Sequence, residues 1–152
     1  ETIAFATLIF GILLYISDKF KLNKSLEKNF SYKSAVLIGI LQILSLIPGV
    51  SRSGIAITAA RLLNFNRVDS AKISFLLSIP ILGAVSLFGI KNLIISEDII
   101  VTKFNLISIF LSFLFSFITI KYFLTYISKF NLNVFVYYRV FLGLFLLILS
   151  FL

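Results

Sequence analysis

Leu41–Gly54, LQILSLIPGVSRSG, sets an arginine between two serines and two glycines inside sequence apolar enough for a lipid bilayer. An arginine near the bilayer centre costs roughly 2.5–3.5 kcal/mol on insertion scales, so it needs a partner there. Ser51 and Ser53 offer hydroxyls and Arg52 a planar fork of donors, a set that matches a phosphate oxyanion. Gly49 and Gly54 let the backbone approach a ligand closely and present its N–H groups. The segment reads as a phosphate site at membrane depth.

The flanking sequence says how such a site is carried. Ser34–Ile47 is apolar for 14 residues, too short to cross the roughly 30 Å hydrocarbon core as a helix. Pro48–Gly49 then breaks it, and Gly54–Leu63 is a second short apolar piece. Two half-length helices around a break predict a re-entrant hairpin over residues 34–63, entering and leaving on one side, with PGVSRSG (48–54) at its tip. Irregular backbone at that depth is tolerated only where it is buried in protein or lines a wet cavity.

Around the hairpin the chain predicts an all-α integral membrane protein of one domain, residues 1–152. Thr2–Ile16, Ile73–Ile90, Asn105–Ile127 and Val134–Leu152 are expected helices of the bilayer, with a kink at Pro80. Asn66 and Asp69 are placed to cap the second of these. Ser17–Lys33 and Lys91–Phe104 read as polar loops, Lys121 as a snorkelling residue, and Tyr137 and Tyr138, with Arg139 beside them, as interface residues. With a hairpin, ten basic residues fall on one side and two on the other; a single crossing would divide them seven against five. The positive-inside rule prefers the hairpin and makes the basic side cytoplasmic.

Composition narrows the chemistry. The chain is 60% hydrophobic and only 13% charged, with a mean hydropathy of +1.10, against about 25% charged for a soluble domain. The net charge of +8 sits in short connecting segments, an ordinary topology signal and a poor footprint for nucleic acid. With no Cys and no His, thiolate chemistry, imidazole bases, disulfides and Cys/His metal sites are excluded within this sequence. The six acids (Glu1, Asp18, Glu27, Asp69, Glu97, Asp98) all fall outside the expected apolar spans, and none stands out as a metal ligand. No basic region or cleavage site marks a signal peptide, and the absence of Met behind an initial Glu1 predicts an internal or C-terminal piece of a longer protein.

GILQILSLIPGVSRSG followed by RLLNFNRVDSAKISFLLSIPILGA, over Gly39–Ala84, resembles the second signature region of the bacterial undecaprenyl-pyrophosphate phosphatases of the bacitracin-resistance type. YRVFLG at Tyr138–Gly143 is similar to that family's last helix. The resemblance implies a multi-pass enzyme of the bacterial inner membrane, built as an inverted repeat with two re-entrant hairpins. It implies hydrolysis of undecaprenyl diphosphate to the monophosphate, which recycles the lipid carrier of peptidoglycan synthesis and underlies bacitracin resistance.

Carried onto this sequence, the resemblance makes Arg52 the phosphate clamp with Ser51 and Ser53 beside it as catalytic candidates. Gly49 and Gly54 shape the binding turn with Pro48, and Gln42 matches a polar position preceding the motif. Thr58 is a further candidate for substrate binding, although Ala56 stands where the family commonly has Thr, and two residues along a helix turn a side chain by about 200°. Nothing resembles the family's first signature, the EGxTEFLPxSSTGH-like segment that supplies its acidic residues and histidine. A divalent cation, Mg or Ca, would then take its ligands from outside this sequence. The expected partners are a polyprenyl diphosphate and membrane lipids, with a homo-oligomer left open. The rival readings are a polyprenyl-phosphate carrier, since broken helices at the midplane also serve transporters, and a non-catalytic fragment that binds a lipid phosphate.

Overall fold

A computed structural model describes residues 2–20, 24–95 and 99–151. Among them the chain is all-α: α1 (Thr2–Lys19), α2 (Leu26–Asn29), α3 (Tyr32–Gln42), α4 (Arg52–Leu62), α5 (Arg67–Ile95), α6 (Ile99–Lys129) and α7 (Asn133–Phe151). A single 3₁₀ turn, Ile43–Leu46, prolongs α3. Thr2–Lys19, Arg67–Lys91, Lys103–Lys129 and Asn133–Ser150 are long and apolar enough to cross a membrane.

Local signals set the helix starts. Ser31 caps α3 by accepting from the Ser34 N–H, and Ser51 caps α4 by accepting from the Gly54 N–H. Asn66 accepts from the Asp69 N–H at 2.9 Å and opens α5, as expected. That helix runs on through Pro80 to Ile95.

Two expected loops are corrected. Ser17 and Asp18 do not belong to a solvated loop: they are buried in the last turn of α1, and the segment after them folds into α2 and the start of α3. The expected loop Lys91–Phe104 is mostly helix, because α5 extends to Ile95 and α6 begins at Ile99. Leu93, Ile94 and Ile95 carry α5 past Lys91, and Ile99, Ile100 and Val101 start α6 ahead of Lys103. The expectations for Glu1, Lys21, Glu97, Asp98 and Leu152 lie outside the described residues.

Three apolar clusters hold the bundle. Leu14, Ile57, Ala71, Ile127, Leu132 and Val136 join five elements at one end. Ile38, Ala56, Ala59, Ala60, Phe65 and Ile73 seal α3 and α4 against α5, the alanines allowing close helix approach. Ala6, Val50 and Ile55 seat the break between α3 and α4 on α1. α1 lies mainly along α7 and also touches α4.

Charge closes one end of the bundle. The buried Asp18 carboxylate accepts from Arg67 Nε at 2.6 Å and from the Leu132 N–H at 3.1 Å, with Arg61 Nη2 at 3.5 Å. Arg61 also donates to the carbonyls of Asp18, Phe20 and Phe65. One carboxylate thus ties α1, α4, α5 and the α6–α7 turn. Beside it the segments flanking the α3–α4 pair meet: Lys24 N–H donates to Asn64 O, Asn66 N–H to Lys24 O, and Leu26 N–H to Asp69 Oδ2.

Candidate functional site

The break between α3 and α4 is a Pro-Gly turn. Ile47 is extended, the conformation a following proline favours, and Val50 N–H closes back on Ile47 O at 3.1 Å. Gly49, at the third position, has φ +97°, the conformation that a type II turn demands there. Its surroundings demand glycine a second time, since an added Cβ would stand 2.5 Å from the carbonyl oxygen of Ile3. Thr7 Oγ1 is 2.7 Å from Ile3 O and 3.3 Å from Gly49 O, so the turn sits directly on the first turns of α1.

The chain leaves this turn into the N-terminus of α4, where helical N–H groups have no partner within the helix. Ser51 satisfies one of them, on Gly54, and its Oγ lies 3.2 Å from Ser53 Oγ. Arg52 and Ser53 are exposed at the first turn. They open onto a cavity of about 400 Å³ whose polar lining is completed by Ser45, Ser74 and Ser78, with Phe75 and Leu82 as an apolar wall. Ser74 Oγ also reaches Ser53 O at 3.3 Å. A guanidinium, hydroxyls and a helix N-terminus converge on one small cavity. That is a donor set for an anion with several oxygens.

Of the residues expected at the site, Arg52 and Ser53 line the cavity, and Ser51, Gly49 and Gly54 build the turn and first helical turn behind it. Gln42 is buried at the end of α3, outside the cavity lining. Thr58 is also buried, and its hydroxyl donates to Gly54 O at 2.8 Å, one turn below the cavity. Ser74 and Ser78 are additions from the fold. Their spacing of four residues on SFLLSIP was the available signal, since it places both on one helix face. Only the packing of α5 on α4 says which face that is.

A larger cavity, about 790 Å³, lies at the Asp18 end and is lined by Lys19, Arg61, Arg67 and several asparagines. Arg61 and Arg67 are already engaged with Asp18 and backbone carbonyls, and Lys19 Nζ lies over the Tyr15 ring. The smaller cavity, with the uncommitted Arg52, is the better candidate for ligand chemistry. Among the described residues no three His, Cys, Asp or Glu side chains group to hold a metal.

The profile of the family described as bacitracin resistance protein BacA matches residues 1–145. An undecaprenyl-diphosphatase from Pelagibacter ubique (strain HTCC1062) is 54% identical over 149 residues, which is 98% of this chain and 58% of that protein. Undecaprenyl-diphosphatases from Campylobacter curvus (strain 525.92) and Elusimicrobium minutum (strain Pei191) are 46% and 38% identical, over 95% and 96% of this chain and 54% and 55% of theirs. The chain therefore spans a little over half the length of the curated relatives it matches.

Proposed function

The chain belongs to the bacitracin resistance protein BacA family, and from that premise we propose that it forms the phosphate-clamping portion of an undecaprenyl-diphosphatase of the bacterial inner membrane. Its substrate is a polyprenyl diphosphate, and the reaction releases the terminal phosphate to regenerate the monophosphate carrier for cell-wall synthesis. The observation that carries the reading is Arg52, exposed at the start of α4 on a cavity lined by Ser53, Ser45, Ser74 and Ser78.

Arg52 grips two oxygens of the transferred phosphoryl group, and Ser53, with Ser51 hydrogen-bonded behind it, turns that group for attack. The α4 N–H groups add positive potential where charge builds in the transition state. Among the described residues no carboxylate lines the cavity, so these residues bind and orient while groups outside this constellation activate water. The same lining does not fit a divalent cation: a guanidinium repels it, and hydroxyls without carboxylates hold Mg or Ca weakly. A family metal would be held by other residues.

The α3–α4 pair is a re-entrant hairpin in this reading. Its support is the meeting of both flanks, through the Lys24–Asn64–Asn66 backbone bonds and the Leu26–Asp69 bond, beside the charged end of the bundle. The test of function is phosphate release from a prenyl diphosphate by the native protein carrying this chain. Both Arg52→Ala and Arg52→Lys are expected to lower turnover by orders of magnitude, because lysine keeps the charge and loses the bidentate fork. An Arg52→Lys protein with most of its activity would refute the clamp.

A further inference from the structure

The larger cavity, about 790 Å³, lies where the candidate membrane spans end. Among its lining residues Lys19 closes the first span, Arg67 opens the second, Ser128 precedes the last residue of the third, and Asn133 opens the fourth. Four span ends at one level put the cavity at the depth of lipid headgroups, clear of the hydrocarbon. Arg52 and Arg61 stand at opposite ends of α4, about 14 Å apart along the helix, so this cavity is separate from the one at the Pro-Gly turn.

Its charges do not balance. Lys19, Arg61 and Arg67 share the lining with one carboxylate, Asp18. Asp18 pairs with Arg67 at 2.6 Å and Arg61 at 3.5 Å, and none of the ion pairs among the described residues includes Lys19. The Lys19 ammonium stands 4.5 Å from the centre of the Tyr15 ring, itself part of the lining. Arg61 supplies an independent sign. It is only 2% exposed, and its terminal nitrogens donate to the carbonyls of Asp18, Phe20 and Phe65. Its Nε is nevertheless without an acceptor, the one such buried side-chain nitrogen or oxygen among the described residues. Interiors seldom leave a charged donor unpaired. Water in the cavity could satisfy that N–H, but not the excess of positive charge; an anion does both.

We propose that this cavity binds the headgroup phosphate of an anionic phospholipid, with Lys19 and Arg61 as its cationic contacts. Headgroup depth and a basic pocket between membrane helices are the setting in which such lipids are held. Phe20, Val68 and Ile127 add apolar lining for the glycerol and first methylenes, which a bare ion would leave unused. A zwitterionic headgroup brings its own ammonium against the three cations and is disfavoured. The site shares no residue with the Arg52 cavity and does not depend on the phosphatase reading.

The native protein carrying this chain, detergent-solubilised and with Arg52→Ala to silence the other cavity, is titrated by calorimetry with three probes: dihexanoyl-phosphatidylglycerol, dihexanoyl-phosphatidylcholine and inorganic phosphate. Phosphatidylglycerol should bind at least about tenfold more tightly than either of the others. Lys19→Gln should weaken it about fivefold and Lys19→Glu by more than about tenfold, each charge near the surface having a worth of that order. Lys19 is exposed and outside the Asp18 pairs, so these variants leave the buried charges intact. Lys129→Glu, at the same end but outside the lining, should change little. Equal binding of phosphatidylcholine, or a preference that survives Lys19→Glu, overturns the proposal. An equal loss in Lys129→Glu would reduce it to attraction by a basic face, and inorganic phosphate binding as tightly as the lipid would rule out the lipid.

Discussion

Gly49 shows what can be read from a residue and its neighbours alone. Pro48–Gly49 in an apolar run announces a turn, and the φ of +97° is the conformation such a turn asks of glycine. Gly49→Ala should therefore destabilise the protein by about 1–2 kcal/mol from backbone strain alone, with the 2.5 Å approach to Ile3 O adding to it. Gly39 lies inside α3 with nothing within 4 Å of an added Cβ, so Gly39→Ala should be neutral or stabilising by up to about 1 kcal/mol. Thermal melts of both variants in detergent check the pair. Arg52, Ser51 and Ser53 could be named as candidates from sequence because they are neighbours in one motif, and the structure sets Arg52 and Ser53 on the cavity with Ser51 as the helix cap. Ser74 and Ser78 could not be named so, because they reach the cavity only through the packing of α5 on α4.

Among the elements, α4 and its flanks carried both the best and the poorest expectations. The break at Pro48 follows from hydrophobic run lengths, and the helical structure stops at Leu46 and resumes at Arg52. Asp18 looked like one more solvated acid among lysines, yet it is buried and binds Arg67, Arg61 and the Leu132 N–H. Nothing within a window of sequence links positions so far apart. Asp18→Asn should cost about 3–5 kcal/mol, because Arg61 stays buried without its counter-charge. Chemical or thermal unfolding of that variant measures it; a loss under about 1 kcal/mol would mean that the backbone carbonyls alone satisfy the arginines. For the hairpin, single cysteines at Lys33 and Asn66 should react with impermeant reagents from the same membrane face. Labelling from opposite faces would contradict it.

As a whole molecule, the chain is a bundle at one end with long apolar helices beyond it. Leu87, Phe88, Phe113 and Phe115 are all more than 60% exposed, so α5 and α6 present surface that hydrocarbon must cover. The overall class was legible from composition; the unequal lengths of the helices were not, since lysines near residues 91 and 103 imitate loop ends. The missing acid–base groups carry a prediction too. This chain by itself should turn over a prenyl diphosphate near background, given that general acid–base help is typically worth about 10²–10⁴-fold. Phosphate release within about tenfold of the native protein would place the chemistry here, with Ser53 the first nucleophile to examine.

The central claim is that a lipid diphosphate occupies the cavity between the α4 N-terminus and α5. The chain has no cysteine, so a thiol introduced by Ser78→Cys is the only one it contributes, and Ser78 lines that cavity. The rate at which a small thiol reagent modifies it, in the native protein with and without ligand, tests occupancy directly. A prenyl diphosphate should slow the modification, and the prenyl alcohol of equal chain length should not. Equal rates with and without the diphosphate, at concentrations that saturate turnover, would contradict the account.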